Sequence, residues 1–299
     1  MPGRLFSFLL VGLYLAGCSG EPTLDDLEVG ESRSFGLLAV TYSHDLTRES
    51  ESDSSLDLTT TAQFVRYTSM KQAQVARVLA LPLDPDRELP AADSCKVYDL
   101  TIDLEEEGIT DGTEMSNVEL LEAGDLVIET SAGKVTLVPR HFPGLLPFIS
   151  GVVYGEAQAD RAERVGKVHA RSEGSEAVGA FQIEAESPAL PEIEAPAERW
   201  SPGDDLTLSW RPSNATRGWT YLELSYSANK RSLVLRCNVE DDGSFRVPAR
   251  RLEELAGASA DGKLGLDLVR LSRAYFSASG LDQGELRISV RQQHSIQVR

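Results

Sequence analysis

Apolar and polar residues alternate with a period of two through most of this chain, the pattern of strands that lay one face on a core. Leu38, Val40 and Tyr42 fall on one side of such a run. Leu56, Leu58, Thr60, Ala62 and Phe64 form the next, and Tyr98, Leu100, Ile102 and Leu104 a third. Asp125–Arg140 (DLVIETSAGKVTLVPR) predicts a hairpin: two β-rich arms joined across Ser131–Lys134, with Gly133 free to take positive φ. Further strands are predicted at 151–154, 165–170 and 181–185. No stretch carries a long, capped helical period, and Val75–Leu83 is ambiguous between helix and strand.

Ser187–Glu198 (SPALPEIEAPAE) interrupts this pattern with Pro188, Pro191 and Pro196. Three prolines so close exclude a central strand or a helix interior, so the segment reads as a domain boundary. Beyond it the alternation resumes, with Leu206, Leu208 and Trp210, then Leu222, Leu224 and Tyr226, then Leu233, Leu235 and Cys237, then Phe245 and Val247. A single short helix is predicted after Pro248, with Leu252 and Leu255 on one face and Gly257 at its end. The last run sets Leu286, Ile288, Val290, Ile296 and Val298 on one face of a closing strand. Short strands at this spacing predict an all-β fold of two immunoglobulin-like β-sandwich domains, 35–187 and 201–299, joined by a Pro-rich linker at 188–200. Trp210 is then a core anchor.

Composition and the first residues add an address. Met1–Cys18 (MPGRLFSFLLVGLYLAGC) has one Arg, an apolar run from Leu5 to Ala16, and small Ala16 and Gly17 before a cysteine. This resembles a bacterial lipoprotein signal peptide, which implies cleavage after residue 17 and a diacylglycerol on Cys18. The apolar run is shorter than the roughly 20 residues of a spanning helix. Residues 18–34 read as the lipidated cysteine and a polar tether. Ser19, not Asp, follows Cys18, as in lipoproteins sent to the outer membrane, so the expected location is the envelope of a Gram-negative bacterium. Without 1–17 the chain keeps 28 Lys plus Arg against 47 Asp plus Glu, a formal charge of −19. That balance disfavours nucleic acid, whose phosphates need clustered Lys and Arg.

With Cys18 lipidated, Cys95 and Cys237 remain as a candidate disulfide in a compartment that permits one. Two separately buried thiols are the other reading.

The order of landmarks in the second half is similar to that of uncharacterised secreted bacterial proteins and lipoproteins. These landmarks are Phe181–Pro188, Gly203–Trp210, Cys237 followed by Asp242–Pro248, the Leu252/Leu255 turn, and Gly280–Asp282 before a last strand. The resemblance spans about 124 to 298 and implies an all-β export module. It brings no catalytic residues with it.

Candidate chemistry is sparse. The four histidines, 44, 141, 169 and 294, are dispersed and none lies in an H-E-x-x-H arrangement. No G-x-S-x-G string marks a serine nucleophile. Gly257–Leu264 satisfies G-x-x-x-x-G-K but has Leu264 where a phosphate loop needs Ser or Thr. Glu49–Ser55 (ESESDSS) reads as an exposed loop, lacking the spacing and the Gly of a calcium loop. No cofactor, metal site or catalytic residue is therefore expected. Trp200, Trp219 and Tyr221 are the candidates for a binding surface, set against core or interface packing. The expected role is non-catalytic binding or structure at the envelope, with the membrane met through Cys18 and an envelope protein or glycan as partner. The alternative is a hydrolase using carboxylates in a cleft between the domains.

Overall fold

The computed structural model describes residues 32–46, 55–68, 70–100, 117–146, 149–158, 162–194, 198–213, 218–228, 231–257 and 262–298. The leader, Cys18, Glu49–Ser54 and the Ile102/Leu104 end of the third run lie outside them.

The first half runs β1 (Ser32–Asp45), β2 (Asp57–Thr68), α1 (Gln72–Val78), α2 (Pro85–Glu88), β3 (Ser94–Asp99) and β4 (Asn117–Leu120). It continues with β5 (Leu126–Thr130), β6 (Gly133–Leu137), β7 (Pro139–Leu146), β8 (Ile149–Gln158), β9 (Lys167–Ser172) and β10 (Phe181–Glu186). Then come β11 (Ile193–Glu194), β12 (Arg199–Trp200), β13 (Leu206–Trp210), β14 (Trp219–Ala228), β15 (Arg231–Val239) and β16 (Ser244–Val247). The chain closes with α3 (Ala249–Ala256), β17 (Gly262–Phe276) and β18 (Gln283–Val298). The protein is all-β in class, and the predicted hairpin is β5–β6, paired from Leu126↔Leu137 to Thr130↔Gly133.

Among the described residues, one 11-stranded sheet runs β3-β15-β14-β17-β18-β1-β2-β4-β8-β7, with β12 also on β18. Two small sheets, β10-β9-β5-β6 and β11-β13-β16, lie apart from it. The alternation of β18 explains the layering. Leu286, Ile288 and Val290 join a core with the first small sheet, through Ile128, Val168 and Phe181. Ile296 and Val298, on the same face further along, join a second core with Leu206, Leu208 and Trp210 of the other small sheet. Leu252 and Leu255 of α3 enter that second core.

Strands from the two expected domains meet in one sheet. β1 pairs with β18 in parallel from Phe35↔Gln283 to Asp45↔Gln293, so strands from both sides of the 188–200 linker share one sheet. The first and second cores lie on a sheet common to both. The first part of the linker is held by polar groups: Arg270 Nη1 donates to the Leu190 carbonyl at 3.1 Å, and the Ile193 N–H donates to Gln292 Oε1 at 2.5 Å. β1 also begins inside the expected tether, with the Ser34 N–H donating to Asp282 Oδ2 at 2.7 Å.

β1 is buried on both faces from Phe35 to Val40, which accounts for its unbroken apolar run. Leu38, Val40 and Tyr42 face the first core. Phe35 and Leu37 face the opposite way, toward a third cluster that includes Val65, Tyr67, Met70, Val75 and Ile149. That cluster lies under residues 70–93, a helical strap laid over the outer face of the large sheet.

Candidate ligand-binding cavity

The strap is fastened at two ends by different chemistry. At its start, Met70 and Val75 are buried in the apolar third cluster, and the Gln74 side chain accepts from the Lys71 N–H at 3.0 Å to close the first turn of α1. At its far end the sheet holds it with charge. Arg287 on β18 donates through Nη1 to the carbonyls of Pro82 and Leu83, at 2.7 and 2.8 Å. Asp84 caps α2 by accepting from the Asp86 N–H at 3.2 Å. Asn238 on β15 donates to the Pro90 carbonyl at 3.0 Å.

Between these fastenings lies a cavity of about 450 Å³. Its apolar wall comes from Ala73, Ala76, Val78 and Leu81 of the strap and from Phe35 and Leu37 of β1. Its polar end comes from Arg236, Glu88 and Tyr98, with Glu285 and Arg287 alongside. These residues share one face because 283, 285 and 287 alternate with the core positions of β18, and because Arg236 stands opposite Lys96, two residues from Tyr98, in the β15–β3 ladder.

The carboxylates at this end are engaged. Glu285 takes Arg287 in a two-point pair, Nε at 2.6 Å and Nη2 at 3.1 Å, with both side chains buried. Glu88 lies 3.4 Å from Arg236 Nη1 and also accepts from the Asp84 N–H at 2.6 Å. Asp84 sits 3.4 Å from Arg87 Nε and 3.7 Å from Arg287 Nη2. Arg236, its side chain 8% exposed, gives Nε to Glu223 at 2.7 Å and stacks over the Tyr98 ring at 5.3 Å. Burial alone would depress its pKa, but Glu223 and Glu88 hold it above the ordinary arginine value. Burial raises the Tyr98 hydroxyl, Arg236 opposing and Glu88 adding to the rise.

The structure joins Cys95 and Cys237 in a disulfide between opposed residues of β3 and β15. β3 is an edge strand that carries Tyr98 to the cavity, so the bridge fixes one wall. Trp200 and Tyr221 are buried, at 3% and 7% exposure, and offer no surface. The Trp200 indole N–H donates to the Asp204 carbonyl at 2.7 Å, and its ring lies in the second core. Burial raises the Tyr221 hydroxyl far above its ordinary value. Trp219 is half-buried against Leu89, Val269 and Leu271, with the Arg273 guanidinium 4.8 Å from its ring centre. Tyr275, at 57% exposure, flanks the same Arg273 at 5.1 Å. Among the described residues, no three His, Cys, Asp or Glu side chains are placed to hold a metal ion.

No protein-family model matches this chain, and comparison with curated proteins returned no match. It is similar at 8% identity to a solved structure, the Fcho1 Mu homology domain from Danio rerio with bound Eps15 peptide. The alignment covers 90% of this chain and 98% of that one, with a TM-score of 0.27, and it carries no inference here.

Proposed function

We propose that this chain is a lipid-anchored protein of a Gram-negative cell envelope, attached through Cys18 to the outer membrane, that acts by non-catalytic binding in the cavity beneath the strap. The observation that carries the reading is the cavity itself. Its volume lies within the range of small-molecule sites, roughly 300 to 1,000 Å³, and Asp84, Glu88 and Glu285 in its wall are each already engaged by an arginine. Carboxylates whose oxygens are already taken up by arginines suit orientation of a ligand. Between the two cores the carboxylate of Asp241 is taken up by Arg270, and Gln292 accepts from the Ile193 N–H, and this too favours binding. The immunoglobulin-like reading of 201–299 draws support from β15, β14, β17 and β18 packing with β11, β13 and β16 around Trp210.

Two measurements test the proposal. Palmitate labelling and membrane fractionation should both be lost in Cys18→Ala. Native mass spectrometry of protein gently extracted from envelopes should show a co-purified small molecule that is absent from Ala76→Trp, which fills the cavity. An adduct-free wild type would overturn the binding role.

A further inference from the structure

We infer that the cavity takes a neutral acyl compound, an alkyl chain ending in an ester or amide carbonyl, with the carbonyl oxygen hydrogen-bonded to Arg236. This rests on the reading of the cavity as a binding site and names the chemistry it would recognise.

The first support is an unused donor in a buried group. Arg236 gives Nε to Glu223 and Nη1 to Glu88, while its Nη2 makes no hydrogen bond to the described residues. A guanidinium carries five N–H donors and no acceptor, so each donor is met by water or by an acceptor brought to it. With the side chain 8% exposed and on the cavity wall, an acceptor inside the cavity meets that need.

Charge then selects the acceptor. The cavity is lined by four arginines, 77, 87, 236 and 287, and by four carboxylates, 84, 88, 99 and 285. Arg236 itself stands between Glu88 and Glu223, at 3.4 and 2.7 Å. A ligand carboxylate or phosphate at Nη2 would face both of these negative charges in a partly desolvated site, where like charges repel more strongly than in water. An ammonium group would face the guanidinium. A neutral carbonyl accepts the hydrogen bond with neither cost. Beyond the polar end, Ala73, Ala76, Val78, Leu81, Phe35 and Leu37 supply wall for an alkyl chain, each buried methylene contributing about 0.8 kcal/mol.

The test uses the full-length chain carrying Cys18→Ser, with its Cys95–Cys237 disulfide formed. Probes of equal chain length are compared below their micellar concentrations: 1-monododecanoylglycerol, dodecanoate and dodecyltrimethylammonium, each displacing the neutral dye Nile red. Monododecanoylglycerol should bind one to one and at least tenfold more tightly than either charged probe. Arg236→Lys, which keeps the charge and removes the Nη2 donor, should abolish that preference while Nile red still binds. Ala76→Trp should abolish binding of all four. Nile red binding with dodecanoate equal to or better than the glyceride would overturn the inference and leave the cavity as a binding site. Failure of every probe, with Ala76→Trp indistinguishable from the parent chain, would overturn both. Diacyl phosphatidylcholine vesicles form a further arm: dye displacement by vesicles as well as by the monoacyl ester identifies membrane lipid as a source, and displacement by the monoacyl ester alone identifies a free acyl ester.

Discussion

Arg270 on β17 donates to both oxygens of Asp241, Nε to Oδ2 and Nη2 to Oδ1, each at 2.9 Å. The Trp210 indole N–H adds a third contact to Oδ1 at 2.8 Å, and the remaining guanidinium donors hold the Leu190 and Arg211 carbonyls. This one ion pair therefore joins the common sheet, the linker and the second small sheet. Burial alone would raise the Asp241 carboxyl, but hydrogen bonds from Arg270, Trp210 and Ser213 hold it below the usual carboxylate range. A carboxyl whose folded pKa lies below its unfolded value contributes stability that is present above the unfolded pKa, about 3.9, and is lost as pH falls through the folded one. Urea midpoints should thus drop below about pH 4. Asp241→Asn should be weaker at pH 7 and show a shallower drop in that range. An unchanged acid limb in the variant would contradict this assignment.

The same pair predicts a non-additive cycle. Asp241→Ala strands the Arg270 charge, which is 5% exposed, and should cost about 3 kcal/mol or more. Arg270→Met together with Asp241→Ala should cost less than the sum of the single changes, because the second removal takes away the stranded charge. Additive free energies from chemical denaturation would show that the two side chains act independently.

The Cys95–Cys237 bridge spans a sequence separation of 142. In the chain-entropy model, closing a loop of that length contributes roughly 5 kcal/mol. Cys95→Ala with Cys237→Ala should approach that loss. Because β3 pairs only with β15 among the described strands, hydrogen exchange should rise first in 94–99, ahead of global unfolding. Uniform loss of protection would mean that the bridge acts on the whole sheet and not on its edge.

The strap makes a separate prediction. Arg287→Met removes two hydrogen bonds to the Pro82 and Leu83 carbonyls and leaves the buried Glu285 without its closest partner. Limited proteolysis should then cut within 79–90, and the parent chain should resist. Val75→Ala acts on the apolar fastening and should loosen 70–79 instead.

Much of the strand content was legible because burial on one face leaves a period of two. Leu286, Ile288, Val290, Ile296 and Val298 fall on one face as expected, and Pro248, Leu252, Leu255 and Gly257 mark a helix that forms at Ala249–Ala256 with its two leucines buried. The shared sheet was not legible, because parallel pairing of β1 with β18 joins residues about 250 apart and leaves no local signal. Between Pro188 and Ile193 the chain passes from Leu190, packed on the first core, to Ile193, packed on the second; composition records a break in the strand pattern and not what lies under it. The cavity was missed for a related reason. Glu285 and Arg287 occupy the polar positions of an alternating strand and read as a solvated face, and only the strap laid over them makes them buried. The ambiguity at Val75–Leu83 was the trace of that strap in the sequence.

Trp200 and Trp219 separate the two roles that the sequence left open for them. Trp200 sits in the second core with its N–H satisfied by the Asp204 carbonyl, and β12 pairs it with Val298 at the end of the common sheet. Trp200→Ala removes a large buried ring and should cost about 3 to 5 kcal/mol, the range for buried aromatic truncation. Trp219 is half-buried, and what it loses is mainly packing on Leu271 and the stack with Arg273. A cation–π contact contributes about 0.5 to 1 kcal/mol at exposed sites and about 2 when desolvated, and with the Arg273 side chain 15% exposed this one lies between, so Trp219→Ala should cost less than Trp200→Ala. Urea denaturation of the two variants orders them directly. The reverse order would place Trp219 in the load path of the fold and free Trp200 for another role. The expected order leaves Trp219, beside exposed Tyr275, as the aromatic whose removal is tolerated.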